Sequence, residues 1–136
     1  MRMHPGVSQR TVNKRVVVVV EDDRPVGELL ASIINEEDGY VAIHVTRASE
    51  ALRTLDRIKP DLILLDVGLP GMNGLELYDR IRADERLRQV PVLFETAVSR
   101  QYKGEFLRRG ITAIVEKPFE VSEIVRRMHE MAPRLH

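Results

Sequence analysis

Short runs of apolar, often β-branched residues alternate along this chain with longer stretches in which apolar positions recur every three or four residues. VVVVV at 16–20 is continuously apolar, the pattern of a strand covered on both faces of a parallel sheet. Val26, Leu29, Leu30, Ile33 and Ile34 then repeat at helical spacing, and the repeat fades at Glu36-Glu37-Asp38-Gly39. The same reading predicts strands at VAIHV (41–45), LILL (62–65), VPVLF (90–94) and AIV (113–115). It predicts four further helices, carrying Ala48, Ala51, Leu52, Leu55 and Ile58; Leu75, Leu77, Tyr78 and Ile81; Tyr102, Phe106 and Leu107; and Ile124, Val125 and Met128. Five strands alternating with five helices is the repeat of a doubly wound α/β sheet, whose right-handed crossovers place helices on both faces.

This pattern occupies residues 15–131 as one domain, a size that fits the 136-residue chain. Residues 1–14 carry Arg2, Arg10 and Lys14, no acid and no periodicity, and are read as a flexible tail; 132–136 are read as a short C-terminal tail. Composition narrows function more than fold. Lys plus Arg and Asp plus Glu are both 21, a net charge of +0 that argues against a module held on nucleic acid by a broad basic field. The absence of cysteine removes disulfides and thiolate metal sites. No apolar run approaches the roughly 20 residues that span a bilayer, and the N-terminus lacks the apolar core of a secretory signal. A soluble cytoplasmic protein without membrane contact is the expectation.

In doubly wound sheets reactive groups collect at the carboxyl ends of the strands. Here those ends carry Glu21-Asp22-Asp23, then Asp66, then Glu95-Thr96-Ala97, then Glu116-Lys117-Pro118. Like charges about 4 Å apart repel by about 4 kcal/mol at an effective dielectric near 20, so a proton or a cation must join such carboxylates. Oxygen donors without His or Cys suit Mg²⁺, which keeps waters and favours phosphate as a co-ligand. Lys117 and Thr96 offer a point charge and a hydroxyl to a phosphoryl oxygen, and an aspartate beside a metal and a lysine is a candidate nucleophile for an aspartyl phosphate. Asp23 is set apart: the helix phase starts at Arg24-Pro25, which makes it the N-cap. Pro70, Gly71 and Gly74 read as turn formers, Asn73-Gly74 as the opening of the third helix, and His44, His129 and His136 as isolated.

The stretches VVVVVEDD (16–23), LILLDVGLPGMNG (62–74), VPVLFETA (90–97) and EKPF (116–119) resemble, in order and spacing, the receiver domain of two-component response regulators, in its stand-alone, CheY-like form. The resemblance covers about residues 15–131. It implies a flavodoxin-like strand order of 2-1-3-4-5, Asp66 as phosphoacceptor, and Mg²⁺ held by Glu21, Asp22, Asp66 and the backbone carbonyl of Gly68. It further implies that Thr96 is the switch hydroxyl, that the Ala97 N–H and Lys117 meet the phosphoryl group, and that the Lys117–Pro118 bond is cis. The implied function is a single-domain phosphorelay switch, not an enzyme. It would be charged by a sensor histidine kinase or phosphotransfer protein and read by a downstream protein effector, with a phosphorylation-dependent homodimer as one output. The alternatives are a phosphorylation-independent docking scaffold and, more weakly, an aspartyl-phosphate hydrolase.

Two positions depart from the family pattern, and two more stand where family members vary. Ile114 stands where an aromatic residue is usual. Glu95 stands where an apolar residue is usual; as it points opposite to Thr96, it is expected to snorkel out or pair with an arginine. Gly68 and Val98 offer no side chain to orient an attacking water, and Val98 predicts slow loss of the phosphoryl group.

Overall fold

The computed structural model describes residues 13–135, so the tail expected at 1–14 lies almost wholly outside the described residues. Ten elements alternate: β1 (Arg15–Val20), α1 (Arg24–Glu36), β2 (Tyr40–Val45), α2 (Ala48–Arg57), β3 (Leu62–Leu65), α3 (Gly74–Ala83), β4 (Val92–Thr96), α4 (Lys103–Arg108), β5 (Ile114–Glu116) and α5 (Val121–Met131). The strands form one sheet in the order β2-β1-β3-β4-β5, and every pairing is parallel. That is the doubly wound, flavodoxin-like order.

The pleat divides the core in two. Val18 and Val20, Ile63 and Leu65, and Phe94 face one side, where Ala51 and Leu55 of α2, Leu77 and Ile81 of α3, and Phe106 of α4 cover them. Val17 and Val19, Leu62 and Leu64, Leu93 and Val115 face the other, under Leu30 and Ile34 of α1 and Ile124 and Met128 of α5. β1 and β3 are buried on both faces, which is why their sequences run apolar without alternation.

Element ends differ from the sequence pattern at four strands, β1 and β2 each beginning one residue earlier than expected. β4 starts two residues later than VPVLF suggests, because Pro91 has no N–H for the ladder, and it runs on through Glu95 and Thr96 paired with Val115 and Glu116 of β5. β5 itself is shifted by one residue. Leu29 and Leu107, both placed on apolar helix stripes, are 49% and 68% exposed. The segment expected as a C-terminal tail begins tied down: Ala132 is buried, its carbonyl accepts the Tyr40 hydroxyl at 2.7 Å, and the Pro133 carbonyl accepts from Arg15 Nε at 2.6 Å.

Candidate functional site

Counting by twos along each strand builds the site. Val17 and Val19 lead to Glu21, Leu62 and Leu64 to Asp66, Leu93 to Glu95, and Val115 to Lys117. Successive strand residues alternate faces, so these four polar groups continue the apolar rows beneath α1 and α5. Backbone bonds hold them in register: Asp66 N–H donates to the Val20 carbonyl at 3.2 Å, and Lys117 N–H to the Thr96 carbonyl at 3.0 Å. The side chains converge on one ammonium. Lys117 Nζ lies 2.6 Å from Glu21 Oε1, 3.4 Å from Asp66 Oδ2 and 3.3 Å from Glu95 Oε2.

Loop chemistry positions the acids. Asp23 caps α1, its Oδ1 accepting from the Val26 N–H at 3.2 Å, with Pro25 in the first turn. Glu21 Oε2 accepts from the Asp23 N–H at 3.1 Å. After Asp66 the chain turns at Gly71 (φ +75°) and enters α3 through a capping box between Asn73 and Glu76. Gly74 is more than a turn former: a side chain there would overlap the backbone carbonyl of Asp66, so only glycine lets α3 begin against that residue. The Lys117–Pro118 peptide is cis.

Glu21, Asp22 and Asp66 each offer a carboxylate oxygen, all within 4.8 Å of one another. Glu21 is fully buried, Asp66 nearly so, and Asp22 stands exposed at the mouth. Hard oxygen donors, one open to water, fit Mg²⁺ and fit zinc poorly. Asp66 Oδ1 also accepts from the Gly68 N–H at 3.2 Å, and a side chain at the exposed Gly68 would come only within 3.8 Å of Asp66 Oδ2, so the approach to this carboxylate is open. Thr96 is buried, and its hydroxyl oxygen accepts from the Val98 N–H at 3.2 Å; Ala97 follows it at the exposed strand end.

Burial raises the pKa of the Glu21 carboxyl, and the charge of Asp66 adds to this, against the lowering pull of the Lys117 hydrogen bond. Burial alone would lower the Lys117 ammonium, but Glu21, Glu95 and Asp66 outweigh it and hold the lysine above its ordinary value. Lys117 is therefore a fixed positive charge at neutral pH.

Glu95 is the correction to the sequence reading. It neither snorkels nor meets an arginine: it is 0% exposed, and neither carboxyl oxygen has a hydrogen-bond partner. The face opposite Thr96 is the face used by Glu21 and Asp66, so pointing away from the hydroxyl means pointing at the acids. Desolvation, and then the neighbouring Glu21 charge, push its pKa up to about 9. Its 3.3 Å approach to Lys117 lacks hydrogen-bond geometry, and at neutral pH it joins a cation to a protonated acid. His44 is the second residue missed, because a histidine in a strand gives no sign of its partner. Half-buried on β2, it donates from Nε2 to the Glu21 carbonyl at 2.9 Å.

The sequence matches the response regulator receiver domain family over residues 17–129. It is 32% identical over 121 residues to the phosphate regulon transcriptional regulatory protein PhoB of Pseudomonas aeruginosa, covering 88% of this chain and 52% of PhoB. It is 34% identical over 110 residues to the polar-differentiation response regulator DivK of Brucella anthropi, covering 80% of this chain and 89% of DivK. The chain thus spans about half of the one relative and most of the other. The solved receiver domain of a sensor histidine kinase from Pseudomonas aeruginosa PAO1, which holds a magnesium ion in its active-site cleft, superposes with a TM-score of 0.79 at 28% identity over 88% of this chain and 98% of that one. No helix among the described residues is long and apolar enough to cross a membrane.

Proposed function

The chain belongs to the response regulator receiver domain family, a family of signalling switches, and on that premise we propose that Asp66 accepts a phosphoryl group in a Mg²⁺-dependent reaction. The observation that carries this reading is the convergence of Glu21, Asp22 and Asp66 beside Lys117 at the carboxyl edge of the sheet. The donor is a phosphohistidine on a sensor histidine kinase or phosphotransfer protein. An Asp66 carboxylate oxygen forms the new bond to phosphorus as the phosphorus–nitrogen bond breaks, and the electron pair leaves on the imidazole.

Phosphoryl transfer needs positioning and charge neutralisation more than covalent assistance. Glu21, Asp22, Asp66 and the Gly68 carbonyl would hold Mg²⁺, which supplies positive charge to the phosphoryl oxygens. Lys117, whose ammonium lies 3.4 Å from Asp66 Oδ2, supplies a second charge. The Thr96 hydroxyl, now accepting from the Val98 N–H, would exchange that bond for one to the phosphoryl group, with the Ala97 N–H beside it. The added group brings roughly −1.5 to −2 charge, and a downstream protein reads the resulting population shift, as a monomer or as a phosphorylation-dependent homodimer. The setting is the cytoplasm. Gly68 and Val98 place no polar side chain to orient water, which favours a long-lived phosphoryl group.

Incubation with Mg²⁺ and acetyl phosphate, followed by intact mass, tests this. The expected result is one phosphate adduct on the wild type and none on Asp66→Asn. A folded wild type without an adduct would assign the domain to docking instead.

A further inference from the structure

Glycine inside a helix costs about 1 kcal/mol against alanine, yet Gly27 sits buried in the second turn of α1, without the positive φ that glycine alone adopts readily. What occupies the space over it is the imidazole of His44: a Cβ on Gly27 would overlap Nε2, Cε1 and Cδ2 of that ring. The ring is aimed. Its Nε2 lies 2.9 Å from the Glu21 carbonyl oxygen, an acceptor only, so this nitrogen carries the proton and donates.

The backbone of Glu21 is thereby suspended from β2 on both sides. Its N–H donates to the Val45 carbonyl at 3.0 Å, continuing the ladder, and its carbonyl accepts from the His44 side chain beyond the last strand pair. That carbonyl belongs to the peptide unit joining Glu21 to Asp22. The unit is planar, so fixing its oxygen fixes the direction in which the exposed Asp22 leaves the sheet. Asp22 lies between the end of β1 and the Asp23 cap.

We propose that His44 is a positioning residue for the metal site: seated in the slot left by Gly27, it orients the peptide that carries the two neighbouring acidic ligands. This rests on the reading of Glu21, Asp22 and Asp66 as ligands. A Mg²⁺ titration followed by amide NMR shifts, with melting temperatures alongside, tests it on five proteins: wild type, His44→Ala, His44→Gln, Gly27→Ala and the Gly27→Ala/His44→Ala double variant. His44→Ala is expected to weaken Mg²⁺ by about 3- to 10-fold, the loss of one neutral hydrogen bond. His44→Gln, which keeps an N–H donor, restores most of that affinity. Gly27→Ala displaces the ring and weakens Mg²⁺ to the same extent as His44→Ala. The melting temperatures separate positioning from packing: Gly27→Ala lowers stability when His44 is present and raises it when His44 is alanine, while Mg²⁺ affinity stays weak in both. His44→Ala within about twofold of wild type, under an intact amide spectrum, overturns the proposal, and so does a Gln variant as weak as Ala. If His44→Ala does not fold, Gly27→Ala and His44→Gln carry the same comparison. A wild type that shows no saturable shift at Glu21, Asp22 or Asp66 removes the metal-site reading itself, a failure distinct from saturation that is indifferent to His44.

Discussion

The two ends of the sheet handle polar groups in opposite ways. At the amino edge groups that are half-exposed, Tyr40 apart, pair off: Arg15 donates to Asp61 Oδ1 at 2.9 Å and to the Pro133 carbonyl, Asp61 Oδ2 accepts from the Val16 N–H at 2.8 Å, and Tyr40 donates to the Ala132 carbonyl. His129 lies 2.8 Å from Glu37 and edge-on to Tyr40. At the carboxyl edge three carboxyl groups crowd one ammonium, and Glu95 has no hydrogen bond. The first arrangement secures the fold. The second leaves acids crowded together, at a cost in stability, where the proposed cation and phosphoryl group would find opposite charges already in place.

The comparison breaks most sharply at Lys117. Lys117→Ala is expected to slow phosphorylation by acetyl phosphate by about 100-fold, the scale of one lost preorganised charge-stabilising donor, measured as the rate of adduct formation. Glu95 comes next, with the opposite sign. Its replacement by leucine should stabilise the domain by about 1–4 kcal/mol, since a buried unpaired acid gives way to an apolar side chain, as read by chemical denaturation. The pH dependence follows from its raised pKa. An unfolded glutamate ionises near 4.3, about its ordinary value, whereas the folded chain keeps Glu95 protonated up to about pH 9. Across that window the folded state binds the extra proton, so wild-type stability falls as pH rises. The stability gap between wild type and Glu95→Gln should therefore widen from pH 5 towards pH 9; a constant gap would refute the buried-acid account.

Asp61→Ala sharpens the contrast from the other end. It leaves the Val16 N–H without its acceptor and the Arg15 guanidinium with only the Pro133 carbonyl, for a loss of about 1–2 kcal/mol, while the folded fraction should phosphorylate at the wild-type rate. The smallest effect separates two adjacent acids. Asp23→Ala should cost about 1 kcal/mol as a lost cap and spare metal dependence, whereas Asp22→Ala should leave stability within about 0.5 kcal/mol and abolish Mg²⁺-dependent adduct formation.

Much of this was legible in one dimension because the strands are buried on both faces and the helices on one. VVVVV and LILL have no other economical reading, and the Asp23 cap follows from helix phase alone. What escaped was register. The sequence shows that Glu95 and Thr96 point in opposite directions; only the pairing of β4 with β3 and β5 shows that the other direction holds Glu21, Asp66 and Lys117. His44 escaped for a similar reason, since Gly27 and His44 explain each other only once α1 lies over β2. The late start of β4 was signalled by Pro91, and its late end was hidden by a charge that a strand was not expected to bury.

The hydrogen bond from Arg15 to the Pro133 carbonyl has a topological consequence. It brings the first strand and the residues after the last helix side by side at the edge farthest from Asp66. A linker of a few residues could close the backbone into a ring there without passing the acids, and a new opening could be cut at an exposed turn such as Gly110. The same geometry bears on labelling: a reporter joined directly beside Arg15 or Pro133 would sit behind the sheet and leave the carboxyl edge free.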